Sequence, residues 1–302
     1  MIKQTLCFSS RAYLSLSMMQ LVIDIPADKD TPARKVTRPI EDIGVIVVES
    51  PMVTFTSGLM AALLENNVAV ITCDARHMPL GLLLPLESNT IQSERFQSQI
   101  NASLPLRKRL WQQTVQAKIF NQYKVLTRWN ADSCECMAVW SRSVKSNDAE
   151  NMEGRAAAFY WRNLFVGNPG FKRRRDDDEP NSLFNYGYSI LRAVMARSLV
   201  GSGLLPTLGI HHKNRYNAYC LADDIMEPYR PYVDQVVMEI IDRSGQPPSL
   251  TRDVKQELLK IPVYDVEIGN LRRPLMIACS ITSASLAKCF GGERQTIDYP
   301  EM

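Results

Sequence analysis

The hydrophobic period changes once along this chain, near Leu86, and that change constrains the fold more than any other feature. Before it, apolar residues come in short runs of strand length: Tyr13 to Ser17, Gln20 to Ile25, Val45 to Val48 and Val68 to Thr72. The polar, proline-bearing stretch Pro26 to Pro39 interrupts them. Between the later runs, SGLMAALLEN (Ser57 to Asn66) puts Leu59, Leu63 and Leu64 on one side of a helix that Asn66 and Asn67 stop. Beyond Pro79 and Pro85 the spacing is helical: Ile91 to Ile100, Arg107 to Tyr123, Met152 to Phe165, Asn185 to Val200, Pro231 to Arg243 and Leu275 to Phe290. The pattern predicts an α+β chain, with a small N-terminal β-sheet domain (residues 1–85) followed by a larger all-helical C-terminal domain (residues 86–302).

At 302 residues, 45% hydrophobic and 22% charged, the chain can build its cores without disulfide or metal staples. Its seven cysteines are odd in number and scattered, and Cys134 with Cys136 form a lone CxC pair, so neither a disulfide framework nor a structural zinc site is expected. No run reaches the roughly 18 apolar residues that span a bilayer, and no signal-peptide pattern opens the chain, which points to the cytoplasm and away from a membrane. A net charge of +3 does not specify nucleic acid by itself, although basic residues cluster at Arg107 to Arg109 and at Lys172 to Arg175.

Chemistry-bearing residues concentrate between Leu208 and Asp234, LGIHHKNRYNAYCLADDIMEPYRPYVD, which holds two of the three histidines. His211 and His212 precede a polar run, Lys213 to Asn217, and then Asp223, Asp224 and Glu227. If the chain around Ile225 is helical, Asp224 and Glu227 stand at i and i+3 and share a face, so their carboxylates can converge on one cation. A mixed imidazole and carboxylate set suits Mn²⁺ or Zn²⁺, whereas Mg²⁺ prefers oxygen ligands, and residue types alone leave the metal open. Phosphate chemistry would favour Mg²⁺ or Mn²⁺. The bland alternative is that first-turn acids stabilise a helix dipole, and Glu153 at the start of NMEGRAAAFYWRNLF admits the same two readings. His77, three residues after Asp74 and without further carboxylates nearby, reads as a structural loop residue.

Three segments in order, NMEGRAAAFYWRNLF, NSLFNYGYSILRAVMAR and SGLLPTLGIHHKNRYNAYCLADDIMEPYRPYVD, closely resemble the CRISPR-associated spacer integrase, the endonuclease of CRISPR adaptation. LADDIMEPYRP is most similar to type II members, and IEDIGVIVVE and NNVAVITCDARHMP extend the resemblance into the N-terminal half. The resemblance implies that Glu153, His212 and Glu227 bind a divalent metal, Mg²⁺ or Mn²⁺. It makes Asp224 an auxiliary acid and gives Asn217 and Arg230 roles in orienting ligands or contacting phosphate. His211 is then the adjacent position, not the ligand, and Gly154 and Arg155 depart from the small or acidic residues often seen after the glutamate.

The implied reaction is metal-dependent: a free DNA 3′-hydroxyl of a captured fragment attacks a phosphodiester at the edge of a CRISPR repeat, and water in its place would give a nuclease. The implied assembly is a homodimer formed through the N-terminal β domain. Two such dimers clasp a dimer of a small ferredoxin-like adaptation partner in a heterohexamer that holds double-stranded DNA, both protospacer and repeat. Arg107, Lys108, Arg109, Lys172, Arg173, Arg174, Arg175, Arg192 and Arg197 are candidates for phosphate contacts. Two other readings make the chain a structure-selective DNA nuclease in repair or a non-catalytic DNA-binding scaffold. The first would cut DNA without joining it. The second would require a missing ligand, and all three ligand positions are present.

Overall fold

A computed structural model describes residues 3–28, 32–130, 134–165, 171–174 and 178–302. They divide into two compact units, Met1–Thr90 and Ile91–Met302. The first is built of two four-stranded sheets and one helix. In one sheet β1 (Gln4–Phe8), β5 (Ile43–Val48) and β7 (Ala69–Cys73) run parallel, and β8 (Pro79–Leu83) closes the edge antiparallel to β7. The other sheet has the order β4 (Arg34–Pro39), β3 (Gln20–Ile25), β2 (Ala12–Ser17), β6 (Val53–Phe55). The run IGVIVV is apolar without alternation because β5 is an interior parallel strand buried over nearly its whole length. Helix α1 (Ser57–Glu65) is capped by the Thr56 hydroxyl, which accepts from the Leu59 amide at 3.4 Å, and its Leu59 and Leu63 enter the same core as Leu14, Leu21 and Ile46.

Among the described residues of the first unit, four strands lie outside the apolar runs read from the sequence, the edge strands β1 and β6 among them. β4 falls inside the polar stretch Pro26 to Pro39, and β8 inside the segment after Cys73. Both are edge strands with at most one covered face, so polar residues and a proline fit them and the apolar signal is weak. His77 sits at φ +61° in the turn between β7 and β8, where Asp74 Oδ1 accepts the Arg76 and Met78 amides. Its place there is structural.

The second unit is centred on a 26-residue helix, α3 (Leu104–Trp129), preceded by α2 (Gln92–Ile100). The Ser103 hydroxyl caps α3 by accepting from the Leu106 amide, and Pro105 occupies its first turn, where no N–H is needed. Around it lie α4 (Glu135–Ser143), α5 (Met152–Leu164), α6 (Asn181–Gly201), α7 (Cys220–Ile225), the 3₁₀ turn Glu227–Tyr229, α8 (Arg230–Ser244), α9 (Arg252–Leu258) and α10 (Leu275–Phe290). Buried Asn121 ties α3 to that turn and to the C-terminal segment: its amide donates to Pro228 O at 2.8 Å and Pro300 O at 3.0 Å, and its oxygen accepts the Met302 amide.

The α+β class holds, but the second unit is not all-helical. A hairpin, β9 (Asp265–Ile268) and β10 (Leu271–Pro274), turns through Gly269 and Asn270, both at positive φ as a two-residue hairpin turn requires.

Candidate metal centre

Glu153 enters the site on the first turn of α5. Two side chains prepare that turn. Asp148 accepts the Met152 and Glu153 amides at 2.8 and 3.0 Å, and Asn151, in a left-handed conformation, accepts the Gly154 amide. Gly154 suits this cap, because a Cβ there would lie 2.7 Å from Asn151 Oδ1. Arg155 turns away, its guanidinium 4.4 Å from the Trp140 ring centroid.

The histidines sit on the connection between α6 and α7, and fully buried Asp224 organises it. One carboxylate accepts the His211 amide at 2.9 Å, the His212 amide at 3.3 Å, and meets His212 Nδ1 at 2.5 Å. That last hydrogen bond, opposed by partial burial and aided by the charges of Asp224, Glu227 and Glu153, holds the imidazole above its ordinary value. His212 keeps half its side chain exposed, and with Nδ1 on Asp224 its Nε2 is the nitrogen a cation can use. His211 stacks on buried Trp111, ring centroids 4.2 Å apart and 5° from coplanar, and burial followed by the neighbouring His212 holds it below its ordinary value.

Gly209 permits this loop. A Cβ there would fall 2.4 Å from His212 O and 2.8 Å from Asp224 Oδ2. Gly209→Ala should therefore pull the loop off Asp224 while the helices stay folded. Proton NMR titration of the ring C–H signals should then show the His212 imidazole falling back toward the ordinary histidine value, with a loss of stability of about 2–3 kcal/mol or more from the stranded Asp224 carboxylate.

Glu227 arrives from the 3₁₀ turn after α7, and here the centre closes. Lys118, on the buried stripe of α3, places Nζ 2.6 Å from Glu153 Oε1, to which it donates a hydrogen bond, and 2.6 Å from Glu227 Oε2. The second contact is an ion pair of the same length to the buried Glu227 carboxylate. Arg230 takes the other oxygen, Oε1, at 3.0 Å. Burial would discharge Lys118, but the Glu227 and Glu153 carboxylates outweigh it and hold the ammonium above its usual value. Burial likewise opposes the charge on Glu227, yet Arg230 and Lys118 hold that carboxyl below its ordinary value. Among the described residues no three His, Cys, Asp or Glu side chains converge closely enough to hold a metal as they stand. An ammonium spans the two glutamates instead.

Behind Arg230 lies a second buried acid. Asp234 accepts from the Tyr160 hydroxyl at 2.9 Å and from the Tyr188 hydroxyl, and the Arg230 guanidinium lies 5.0 Å from the Tyr188 ring centroid. Burial pushes the Asp234 carboxyl up to about 6, against the pull of Tyr188, Tyr160, Arg173 and Arg230. A carboxyl raised in the folded state contributes stability that is full below the unfolded value, near pH 4, and is lost as pH rises through about 6. Asp234→Asn cannot ionise. Its stability relative to wild type should thus rise by about 3 kcal/mol across that window, read from urea unfolding at several pH values.

The family model for CRISPR associated protein Cas1 matches residues 6–252. The chain belongs to the Cas1 family. A CRISPR-associated endonuclease Cas1 from Neisseria meningitidis serogroup C (strain 8013) is 35% identical over 267 residues, covering 88% of this chain and 84% of the relative. A solved casposase bound to integration product has a TM-score of 0.79 at 19% identity, over 99% of this chain and 93% of that one. A Cas6-RT-Cas1–Cas2 complex gives 0.72 at 18% identity, over 97% of this chain and 35% of that one. At those identities the two structures speak for the fold. The family resemblance read from the sequence is borne out.

In this Cas1 family member the expected site residues divide. Glu153 and Glu227 meet at Lys118, His212 faces Asp224, and Arg230 holds Glu227. Asn217 stands apart from the two glutamates: its amide donates to Asp223 Oδ2 at 2.7 Å. Arg192 donates two bonds to the same Asp223, clamping that carboxylate while its side chain stays 41% exposed. Arg197 is 7% exposed within α6 and cannot face a phosphate there. Arg173 bonds Asn181 and Asn185, and Arg107 donates to Ile100 O. Arg109, Lys172 and Arg174 are exposed, Lys108 is half-buried, and Arg175 lies outside the described residues.

Sequence reasoning missed Lys118. Its signal is positional: with Trp111, Val115 and Gln122 it falls on the buried face of α3, where an unpaired lysine would be costly. It also missed Lys213 and Arg215, which with Arg107, Asn214 and His212 line a cleft of about 520 Å³.

Proposed function

We propose that this chain is a divalent-metal-dependent DNA endonuclease and integrase of CRISPR adaptation. It inserts captured DNA fragments into a CRISPR array by attack of their 3′-hydroxyls on phosphodiesters at the repeat edge. One observation carries the reading: in a Cas1 chain, the carboxylates of Glu153 and Glu227 meet at a single cation position, within electrostatic reach of His212. Those two carboxylates and the free Nε2 of His212 are a donor set that fits Mg²⁺ or Mn²⁺.

Bound there, the cation supplies Lewis-acid activation of the phosphodiester and stabilises the attacking and leaving oxygens. The protein's own groups do the rest. Asp224 fixes the ring and tautomer of His212, and Arg230 holds one Glu227 oxygen so that the other faces the site. The cleft beside His212, with Arg107, Lys213 and Arg215, offers positive charge to a DNA backbone without reading its sequence. No thiol nucleophile is called for. Cys220 is buried and donates to backbone oxygens.

In this reading the chain acts in the cytoplasm as a homodimer joined through its N-terminal unit. It assembles with a small ferredoxin-like partner on protospacer and repeat DNA. Support comes from the Neisseria relative's name as an endonuclease and from neighbours that include a casposase with its integration product and a complex containing Cas1 and Cas2.

The test is an integration assay with purified chain and partner, a labelled duplex with free 3′ ends, and a supercoiled plasmid bearing leader and repeat. The label should become covalently joined at repeat edges with Mg²⁺ or Mn²⁺, and the joined product should vanish with a chelator. Plasmid that is only nicked would transfer the chain to the repair-nuclease reading. Joining that persists in chelator would remove the metal.

A further inference from the structure

Lys118 has no part in the chemistry just described, yet it stands between the two glutamates of the centre. Its Nζ stands 2.6 Å from an oxygen of each glutamate that the metal reading requires. Hard divalent cations bind carboxylate oxygens at about 2.0–2.6 Å. An ammonium already 2.6 Å from both oxygens fills the same space, and two positive centres cannot share it. The position is built in. Lys118 rises from the buried stripe of a capped 26-residue helix, and its side chain is only 10% exposed.

The contact with Glu227 is as close as that with Glu153, so the ammonium divides its charge between the two carboxylates and belongs to neither alone. The exchange is also feasible, because Glu153 is 22% exposed at the open end of α5, so solvent and ions can reach the pair from that side.

We propose that Lys118 is an internal competitor for the metal, which makes metal loading and DNA binding mutually dependent. The inference rests on the reading of Glu153 and Glu227 as metal ligands. For a cation to enter, Nζ must leave both carboxylates, and the displaced ammonium then needs another anion. A DNA phosphate entering the site supplies it. By linkage, DNA that takes up the ammonium tightens metal binding by the same factor as metal tightens DNA binding. An ammonium that holds the site nine-tenths of the time weakens the apparent metal affinity about tenfold. Without DNA the centre would stay largely unloaded, which limits stray hydrolysis.

Two measurements on the full chain test this without using activity. Mn²⁺ binding is followed by the electron paramagnetic resonance of the free ion, with and without a short duplex, using Glu153→Gln with the same duplex as the blank for Mn²⁺ held by DNA. Wild type should bind Mn²⁺ weakly alone and about tenfold more tightly with DNA. Lys118→Met should bind about tenfold more tightly alone and gain less from DNA than wild type does, keeping only the coupling that comes from the phosphate's own contact with the ion. The second measurement needs no substitution at Lys118 and stands even if Lys118→Met does not fold. Brief acylation of lysines, read by mass spectrometry, should leave Lys118 protected in chelator and reactive in saturating Mn²⁺, a change absent in Glu153→Gln. Mn²⁺ binding in Lys118→Met that equals or falls below wild type overturns the proposal, as does acylation of Lys118 that ignores bound Mn²⁺. If wild type, Lys118→Met and Glu153→Gln all give the same flat titration, the metal reading itself fails and the competitor falls with it.

Discussion

Glu227→Gln should be the most damaging single substitution in the chain, destabilising the fold and abolishing DNA joining together. Glu227 is 6% exposed and carries one oxygen against Lys118 and the other against Arg230. Glutamine keeps the shape and removes the charge, which leaves two cations with Glu153 as the remaining carboxylate among them. Breaking a buried pair in this way costs about 3–5 kcal/mol, and Glu153 places this case near the lower end. Joining should fall at least about 10³-fold, because removing one ligand takes several kcal/mol of transition-state stabilisation with it.

His212→Ala separates the two effects. His212 is half exposed, so this variant should lose joining to a similar degree while its stability falls only by the one hydrogen bond to Asp224 that it removes, about 1.5–3 kcal/mol. Single-turnover joining, measured where every variant is folded by circular dichroism, checks both. Wild-type stability in Glu227→Gln would mean that its charge is not balanced inside the fold as the distances indicate.

What the sequence could say about this centre depends on where each signal resides. Glu153, His212 and Glu227 are readable because each sits in a short motif with its own spacing, and the long helices are readable because their apolar period persists over several turns. The meeting of Glu153 and Glu227 is not local. It depends on α3, whose lysine looks, in one dimension, like one more basic residue of an amphipathic helix. Arg192 and Arg197 show the same limit from the other side. They lie five residues apart on α6, and nothing in their spacing tells that one clamps Asp223 and the other is enclosed. β4 and β8 escaped because edge strands need not be apolar, and the β9–β10 hairpin because four-residue strands in a helical context leave too short a pattern. Asp224 was legible only as an acid one turn before Glu227. Its partners are on a preceding loop.

Those partners give Asp224 the second large effect. Its carboxylate holds the His211 amide, the His212 amide and His212 Nδ1 at once, and Asp224 is fully buried. Asp224→Ala removes all three, each worth about 1.5–3 kcal/mol, but also removes the cost of burying the charge, so the net loss of stability should be about 2–3 kcal/mol. Groups that orient a ligating histidine typically matter about 10–100-fold in metal affinity or activity, and joining should drop by that much. Asp224→Asn retains one acceptor oxygen and should fall between wild type and alanine on both scales.

The pH profile distinguishes orientation of His212 from general support of the loop. In wild type Asp224 makes the imidazole hold its proton to higher pH than an ordinary histidine, so joining should switch on late as pH rises. Without that carboxylate the proton leaves earlier. The acid limb of the joining rate in Asp224→Asn should therefore move to lower pH even as its plateau falls. Were Asp224 only a support of the loop and not the partner of the imidazole, its loss would lower the plateau and leave the limb where it was.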